Sequence, residues 1–508
     1  MLMNTGSLVG TTAVTSGLGF VYWWEATRQY APEAVGFASA AVSTMMLLSS
    51  MAMLGLGTLL ITELPRQPTR AVSLISTGLV VVAGVGLVIG IAFAGIAPSV
   101  SAQFAPLRAS LLNVLIFAAG ISLAAITAVL DQALIGLLQG NLQFARNAFF
   151  SVAKLALLFA AGLYLSRTNG MTIYTSWTAG MALSLLVMFG YALFKKGWRG
   201  KAYLPQWKLL RKLGSAALQH HFLNLVLQVP TQLLPVLVII LLSAKVNAWF
   251  YISWMIAQFV FLVPNSLTIV LHAMNSADQA SLRQRARMTV GVSLLFSLLA
   301  DAVLLLATTQ VLGVFGKVYA DQAAWCLRIL VLAAFTGIIK THYISFCRIH
   351  DRVGQAMSGM LLGGVLELVG AALGGYINGL IGLSLGWVIA TAVEALFMFP
   401  VVYRVIWSAK GLLEEPFPEQ YGETEPIWLV DTVMLAAVPP RHTTGRVPVP
   451  LASTRPLKPV WLIETIAQPA IPPSPLIQEP ITHLPIERKM SEPLWAGKAL
   501  RRTRLRPP

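Results

Sequence analysis

Residues 71–97 read AVSLISTGLVVVAGVGLVIGIAFAGIA, a run without one charged side chain. About 20 apolar residues are enough for a helix to cross the hydrocarbon core of a bilayer, so the stretch predicts a membrane-spanning helix. The glycines at Gly84, Gly86 and Gly90 look like a dinucleotide motif only in passing, because no strand precedes them. In an apolar helix, small residues serve close helix packing. Further charge-free runs lie at 34–62, 109–130, 213–244, 246–277 and 368–393. Charged residues make up 11% of the 508-residue chain, well below the roughly 25% of a soluble domain. The fold class is therefore an all-α integral membrane protein.

Breaking the apolar runs at charges, Pro and Gly predicts about twelve transmembrane helices. They lie near 2–24, 34–62, 71–96, 109–130, 147–165, 171–194, 216–243, 246–271, 289–314, 323–346, 355–377 and 382–405. The first run lacks the basic start and small-residue cleavage site of a signal peptide and reads as a retained span. The loops at 63–70, 131–146, 195–215, 272–288 and 347–354, with the exit at 404–410, carry 17 Lys and Arg, whereas the opposite loops carry five. The positive-inside rule assigns the first set to the cytoplasm, which puts both termini of this multi-pass protein on the cytoplasmic side of the cell (inner) membrane. The formal charge of +16 is thus a matter of topology, and no nucleic-acid partner is expected. Cys326 lies within a span and Cys347 borders it, so a disulfide is not expected.

The basic loop at 195–215 divides the spans six and six. Equal halves predict an internal repeat. The stretch Ala31-Pro-Glu-Ala-Val-Gly-Phe37 recurs in position as Ser243-Ala-Lys-Val-Asn-Ala-Trp249, and Gly140–Arg146 as Ile349–Gln355, at offsets of 212 and 209 residues. The expected domains are a six-helix lobe at 1–194, a basic cytoplasmic linker at 195–215 and a second six-helix lobe at 216–410. A Pro-rich tail at 411–508, acidic at its start and basic at its end, is expected to be disordered and cytoplasmic. It is either a solvated linker or a docking segment for a cytoplasmic biosynthetic partner.

Charges inside spans cost about 2.5–3.5 kcal/mol at a helix centre and so draw attention to function. The set is Lys154, Asp301, Arg328, Lys340, Glu367 and Glu394. Lys154, two turns after Asn147, is a candidate for a central cavity. Asp301, Glu367 and Glu394 are candidates for coupling to an ion such as H+ or Na+; the alternative is that several of these charges snorkel or pair with one another. Span 7 carries Gln228, Pro230, Gln232 and Pro235. Two prolines five apart remove backbone donors and kink a helix, which makes this segment a gating candidate. The opposite loops are short and hold no His/Cys/carboxylate cluster. No metal site, cofactor or catalytic centre is expected, and the chain does not read as an enzyme.

The opening segment, which ends Ala26-Thr-Arg-Gln-Tyr-Ala-Pro-Glu-Ala-Val-Gly36, resembles that of the Wzx-type polysaccharide flippases of the multidrug/oligosaccharidyl-lipid/polysaccharide (MOP) exporter superfamily. The Leu54-Gly-Leu-Gly57 stretch, the Gln139–Arg146 loop and the basic lead-in Trp207–Gly214 agree. The resemblance covers about residues 5–410. It implies two six-helix lobes that move a lipid-linked (polyprenyl-pyrophosphate) oligosaccharide across the membrane by alternating access, for polysaccharide or cell-envelope synthesis. Where family members often carry an acid midway along span 7, this chain reads Gln228-Val-Pro-Thr-Gln232. An anionic headgroup needs cationic groups in the cavity, for which Arg28, Lys154 and Lys340 are the candidates, while the lipid tail stays among membrane lipid. Two other readings are a cation-coupled multidrug exporter of the same superfamily, which needs cavity acids, and a non-transporting membrane scaffold for biosynthetic enzymes.

The topology is open to direct test. Reporter fusions after Lys410 and within 195–214 are expected to report the cytoplasm, and fusions within 98–106 the outside. A cytoplasmic signal from the last site would break the twelve-span scheme.

Overall fold

The computed structural model describes residues 2–196, 207–275, 282–350 and 352–407, all of which belong to the first of the two units into which the chain divides, Met1–Val438. The expected tail at 411–508 and the centre of the expected linker lie outside the described residues. Every regular element among those described is helical. The first half holds α1 (Leu2–Gln29), α2 (Pro32–Ala52), α3 (Leu56–Glu63), α4 (Ala71–Val100), the short α5 (Ala105–Arg108), α6 (Leu111–Gly136), α7 (Gly140–Tyr164) and α8 (Gly170–Lys196). The second half holds α9 (Trp207–Leu241), α10 (Ala244–Asn275), α11 (Leu282–Leu306), α12 (Thr308–Gly313), α13 (Lys317–Val331), α14 (Ala333–Ile349) and α15 (Val353–Trp407).

Among the described residues, nine helical stretches are long and apolar enough to cross a membrane. The last of them turns back on itself, and together with α1 and α9 this brings the crossings to twelve. Broad faces of these helices expose Leu, Val, Ile and Phe. The chain is a multi-pass membrane protein, since surfaces of this kind are stable against lipid and not against water.

Several spans differ from their sequence-based limits for local reasons. The second is broken where Leu54 and Gly55 take positive φ of 49° and 75°, which ends α2 and starts α3. The ninth is interrupted at Ala307 and the tenth at Leu332. The eleventh and twelfth form one hairpin, α15, whose apex is Asn378–Gly379; Gly379, at φ 55° and ψ −137°, has a backbone that glycine tolerates best. Its two arms touch backbone to backbone, because a Cβ on Gly374 would collide with the carbonyl oxygen of Gly382. The fourth and fifth spans run on through Asp131 and Arg146, residues read from the sequence as loop. Half of the expected linker, from Trp207 onward, is the start of α9.

The two halves meet where α2 packs on α10, the second helices of the proposed repeat. A Cβ on Gly36 would collide with the Ala244 carbonyl oxygen, so the helices approach to backbone contact. Buried Asn247 donates from Nδ2 to the Gly36 carbonyl (2.7 Å) and the Ser39 hydroxyl (3.1 Å). Trp23 of α1 meets Tyr251 of α10 at 4.7 Å between ring centroids, and the Trp24 indole N–H donates to the Val314 carbonyl (3.0 Å). Replacing Gly36 by Ala is expected to overpack this seam at a cost of about 1–3 kcal/mol. The variant should melt at a clearly lower temperature in detergent, and a melting curve like that of the parent would show that the seam has room to spare.

Candidate functional site

Away from that seam, a cavity of about 260 Å³ opens between α2, α6, α7 and α8 on one side and α9 on the other. It lies toward the helix ends whose connections carry most of the basic residues. Its polar lining comes from Ser49 and Ser50 of α2, Thr127 and Asp131 of α6, Arg146 and Asn147 of α7, and Gln228 and Gln232 of α9. Met46, Met53, Phe150 and Met181 supply apolar surface. Ser50 donates to the Gln228 side-chain oxygen (2.9 Å), a bond across the halves. Pro230 and Pro235 are buried in α9, and Pro230 packs on Gly364 of α15, where a Cβ would stand 2.9 Å from its ring.

The charges on this wall neutralise each other. Arg146 donates Nε–H to Asp131 Oδ1 (3.0 Å) and Nη2–H to Oδ2 (2.6 Å), a bidentate pair that Asn147 joins by donating to Oδ2 (3.1 Å). Planar two-point contact is the strong form of a charge-assisted bond. The sequence reading missed this pair because a charge ends an apolar run, so both residues counted as loop. Opposite charges at the facing ends of consecutive helices were the available signal.

Lys154 is 3% exposed and lies one turn past Phe150, off the cavity wall. Its ammonium sits 3.5 Å from the ring centroid of Trp177, 4.8 Å from that of Phe150 and 5.1 Å from that of Tyr22. No carboxylate or hydrogen-bond acceptor holds it among the described residues. A desolvated cation over an aromatic face gains about 2 kcal/mol, and three faces stand here in place of a counter-ion. The close approach needs Gly180, whose Cβ would fall 2.8 Å from that of Lys154. Arg28 is elsewhere: exposed, it donates from Nε (3.1 Å) and Nη2 (2.8 Å) to the carbonyl of Val314 and lies beside Trp24, 6.0 Å from its ring. It ties the two halves at the end opposite the cavity.

The remaining charges lie in the second half. Lys340 of α14 donates to Glu367 Oε1 (2.5 Å) and Glu394 Oε2 (2.8 Å), one on each arm of α15. The Trp387 indole N–H donates to Glu367 Oε2 (2.9 Å), while Glu394 Oε1 has no partner among the described residues. Glu394 rests on Gly363, where a Cβ would collide with its carboxylate. Arg328 bonds Thr308 and lies over Trp325, and Asp301 is buried on α11. The two cysteines are free.

No protein-family model matches the chain, and no curated protein sequence does. Solved structures do match. An inward-facing multidrug resistance MATE family transporter of the MOP superfamily aligns with a TM-score of 0.60 at 16% identity, over 77% of this chain and 94% of that one. The lipid II flippase MurJ, in an inward closed conformation, aligns at 0.59 and 12% identity, over 79% and 87%. A MOP superfamily transporter from Pyrococcus furiosus aligns at 0.53 and 14%, over 79% and 96%. The fold is that of the MOP transporters.

The ion triad makes a sharp prediction. Lys340→Met leaves two buried carboxylates without a cation and should cost about 3–5 kcal/mol. Combining it with Glu367→Gln and Glu394→Gln should restore most of the thermal stability. Equal melting of the single and triple variants would show that Lys340 does not balance these acids.

Proposed function

We propose that this chain flips a lipid-linked (polyprenyl-pyrophosphate) oligosaccharide across the cytoplasmic membrane, for polysaccharide or cell-envelope synthesis. The observation that carries this reading is the cavity lining. The side-chain amides of Gln228 and Gln232 offer donors, and the hydroxyls of Ser49, Ser50 and Thr127, whose hydrogens go to Met46, Gln228 and Ala124, keep acceptor lone pairs, which suits the many hydroxyls of a sugar, while Phe150 and the methionines suit its apolar faces. A cation-coupled multidrug exporter needs an uncompensated acid on the wall. Asp131, the one acid there among the described residues, is already held by Arg146.

The lipid tail stays in the bilayer while the headgroup enters. Its negative charge calls for a cation, and the ammonium of Lys154 lies just behind Phe150. Rotation of that ring would open a way from the aromatic box to the cavity. The lobes at 1–194 and 216–410 then rock about the α2–α10 seam, which exchanges the opening near Gln228 for one near Arg28. The Lys340, Glu367 and Glu394 triad is the coupling element. Glu394 Oε1 can take a proton or Na+, and Gly363 and Gly364 link Glu394 to Pro230 and so to the cavity-lining turn of α9. The tail at 411–508 is assigned to contact with cytoplasmic biosynthetic enzymes; a scaffold that does nothing else would not need a polar cavity.

The test is the amount of lipid-linked sugar left on the cytoplasmic leaflet at matched expression. Lys154→Ala should block transport, Lys154→Glu should do so more completely because it repels the headgroup, and Lys154→Arg should keep part of the activity. Gln228→Leu with Gln232→Leu should lower it as well. Undiminished transport by Lys154→Glu would remove the headgroup assignment.

A further inference from the structure

Helix α11 presents polar residues at intervals of four: Thr289, Ser293, Ser297 and Asp301. With 3.6 residues per turn such groups share one face, roughly 6 Å apart and about 18 Å from first to last. Ser293 and Ser297 are 0% exposed and Asp301 is 2% exposed, while Leu294, Leu295, Leu298 and Leu299 on the other side face outward. The polar face thus turns toward the helices that α11 packs against, α10, α13, α14 and α15. Serine hydroxyls within membrane helices ordinarily bond back to the preceding turn. Here both serine hydroxyls and both Asp301 oxygens are without a hydrogen-bond partner among the described residues.

The line ends on a base. His342 of α14 is 0% exposed, with Nδ1 2.8 Å from the Ile338 carbonyl oxygen and Nε2 3.2 Å from the Thr289 hydroxyl. A carbonyl only accepts, so Nδ1 bears the hydrogen of the neutral ring and Nε2 is left bare toward Thr289, whose hydroxyl donates to the Ala286 carbonyl (3.1 Å) and turns its hydrogen to Nε2 for transfer. At the other end no charged group answers Asp301 among the described residues. On α13, Arg328 turns to Thr308 and Trp325. On α14, Lys340 is taken by Glu367 and Glu394 of α15. On α10, Lys245 pairs with Glu33 (3.7 Å). A bare carboxylate at this depth would cost about 2.5–3.5 kcal/mol or more, and one proton removes the charge.

We propose that Asp301 is a proton-binding site and that the Ser297, Ser293 and Thr289 hydroxyls connect it to His342, forming a proton path inside the second half of the chain. Hydroxyls a turn apart are too far for direct bonds, and both serine hydroxyls are closed to water in this structure, so the path forms when the helices part enough to admit one water between each pair. Each hydroxyl receives a proton on one side and releases its own on the other, so the net event is a proton leaving Asp301 and a proton arriving at His342 Nε2. The site is read from α11 and its neighbours and stands whatever the cargo is.

The test uses the purified full-length protein in lipid vesicles. It records the infrared carbonyl band of protonated carboxylic acids, and how fast that band shifts in heavy water. Asp301→Asn, nearly isosteric, should delete one component of the band. Ser293→Ala, Ser297→Ala and His342→Phe should keep that component and slow its exchange several-fold. An unchanged band in Asp301→Asn would overturn the assignment. Loss of the component on replacing potassium by sodium chloride would overturn it too, since Asp301 would then hold sodium. Exchange as fast in all three line variants as in the parent would overturn the path.

Discussion

The amide of Asn247, bonded to the carbonyl of Gly36, is the contact on which the arrangement depends. Helices in lipid gain little from burying apolar side chains against each other, because lipid tails are equally apolar; they associate by close packing and by satisfying polar groups. At Gly36 both conditions meet. The absence of a side chain lets α2 reach the backbone of α10, and Asn247 bonds a carbonyl and a hydroxyl that the contact would otherwise bury. Arg28 and Trp24 add bonds to Val314 nearby. The halves also meet toward the other end, where α2 and α3 pack on α9 and Ser50 bonds Gln228, and the polar cavity lies beside that contact.

Charge in a medium that does not solvate it has to be answered locally, and this chain answers it in distinct ways. Asp131 and Arg146 cancel in a bidentate pair on the cavity wall. Lys340 bridges two acids and leaves one negative charge in excess, in a group that ties α14 to both arms of α15. Among the described residues, Lys154 has aromatic faces alone, and Asp301 has none of these. The first arrangement is self-contained, whereas the other three are incomplete, and an incomplete charge balance is where an arriving ion or headgroup changes the energy most.

Composition and patterning determined the membrane class, the number of crossings and their order. Those properties follow from the length of apolar runs against a bilayer of nearly constant thickness, and from where charge interrupts them. The same logic erred at Asp131 and Arg146, because a paired charge costs a helix much less than an isolated one. The breaks at Leu54–Gly55 and Leu332, which leave no gap in hydrophobicity, were equally out of reach.

The sequence by itself also singled out the intramembrane charges, since their cost is local and can be read residue by residue. Only the tertiary structure decided what each of them faces. Arg28 and Lys154 were alike as basic residues in the first half, yet one ties the halves together and the other lies in an aromatic box. Lys340, Glu367 and Glu394 meet across 27 and 54 residues of chain. The period of a helix sets which face a residue shares with its neighbours along the chain, but the rotation and crossing of one helix against another come from packing, and packing decides whether a charge meets a partner, a cavity or nothing.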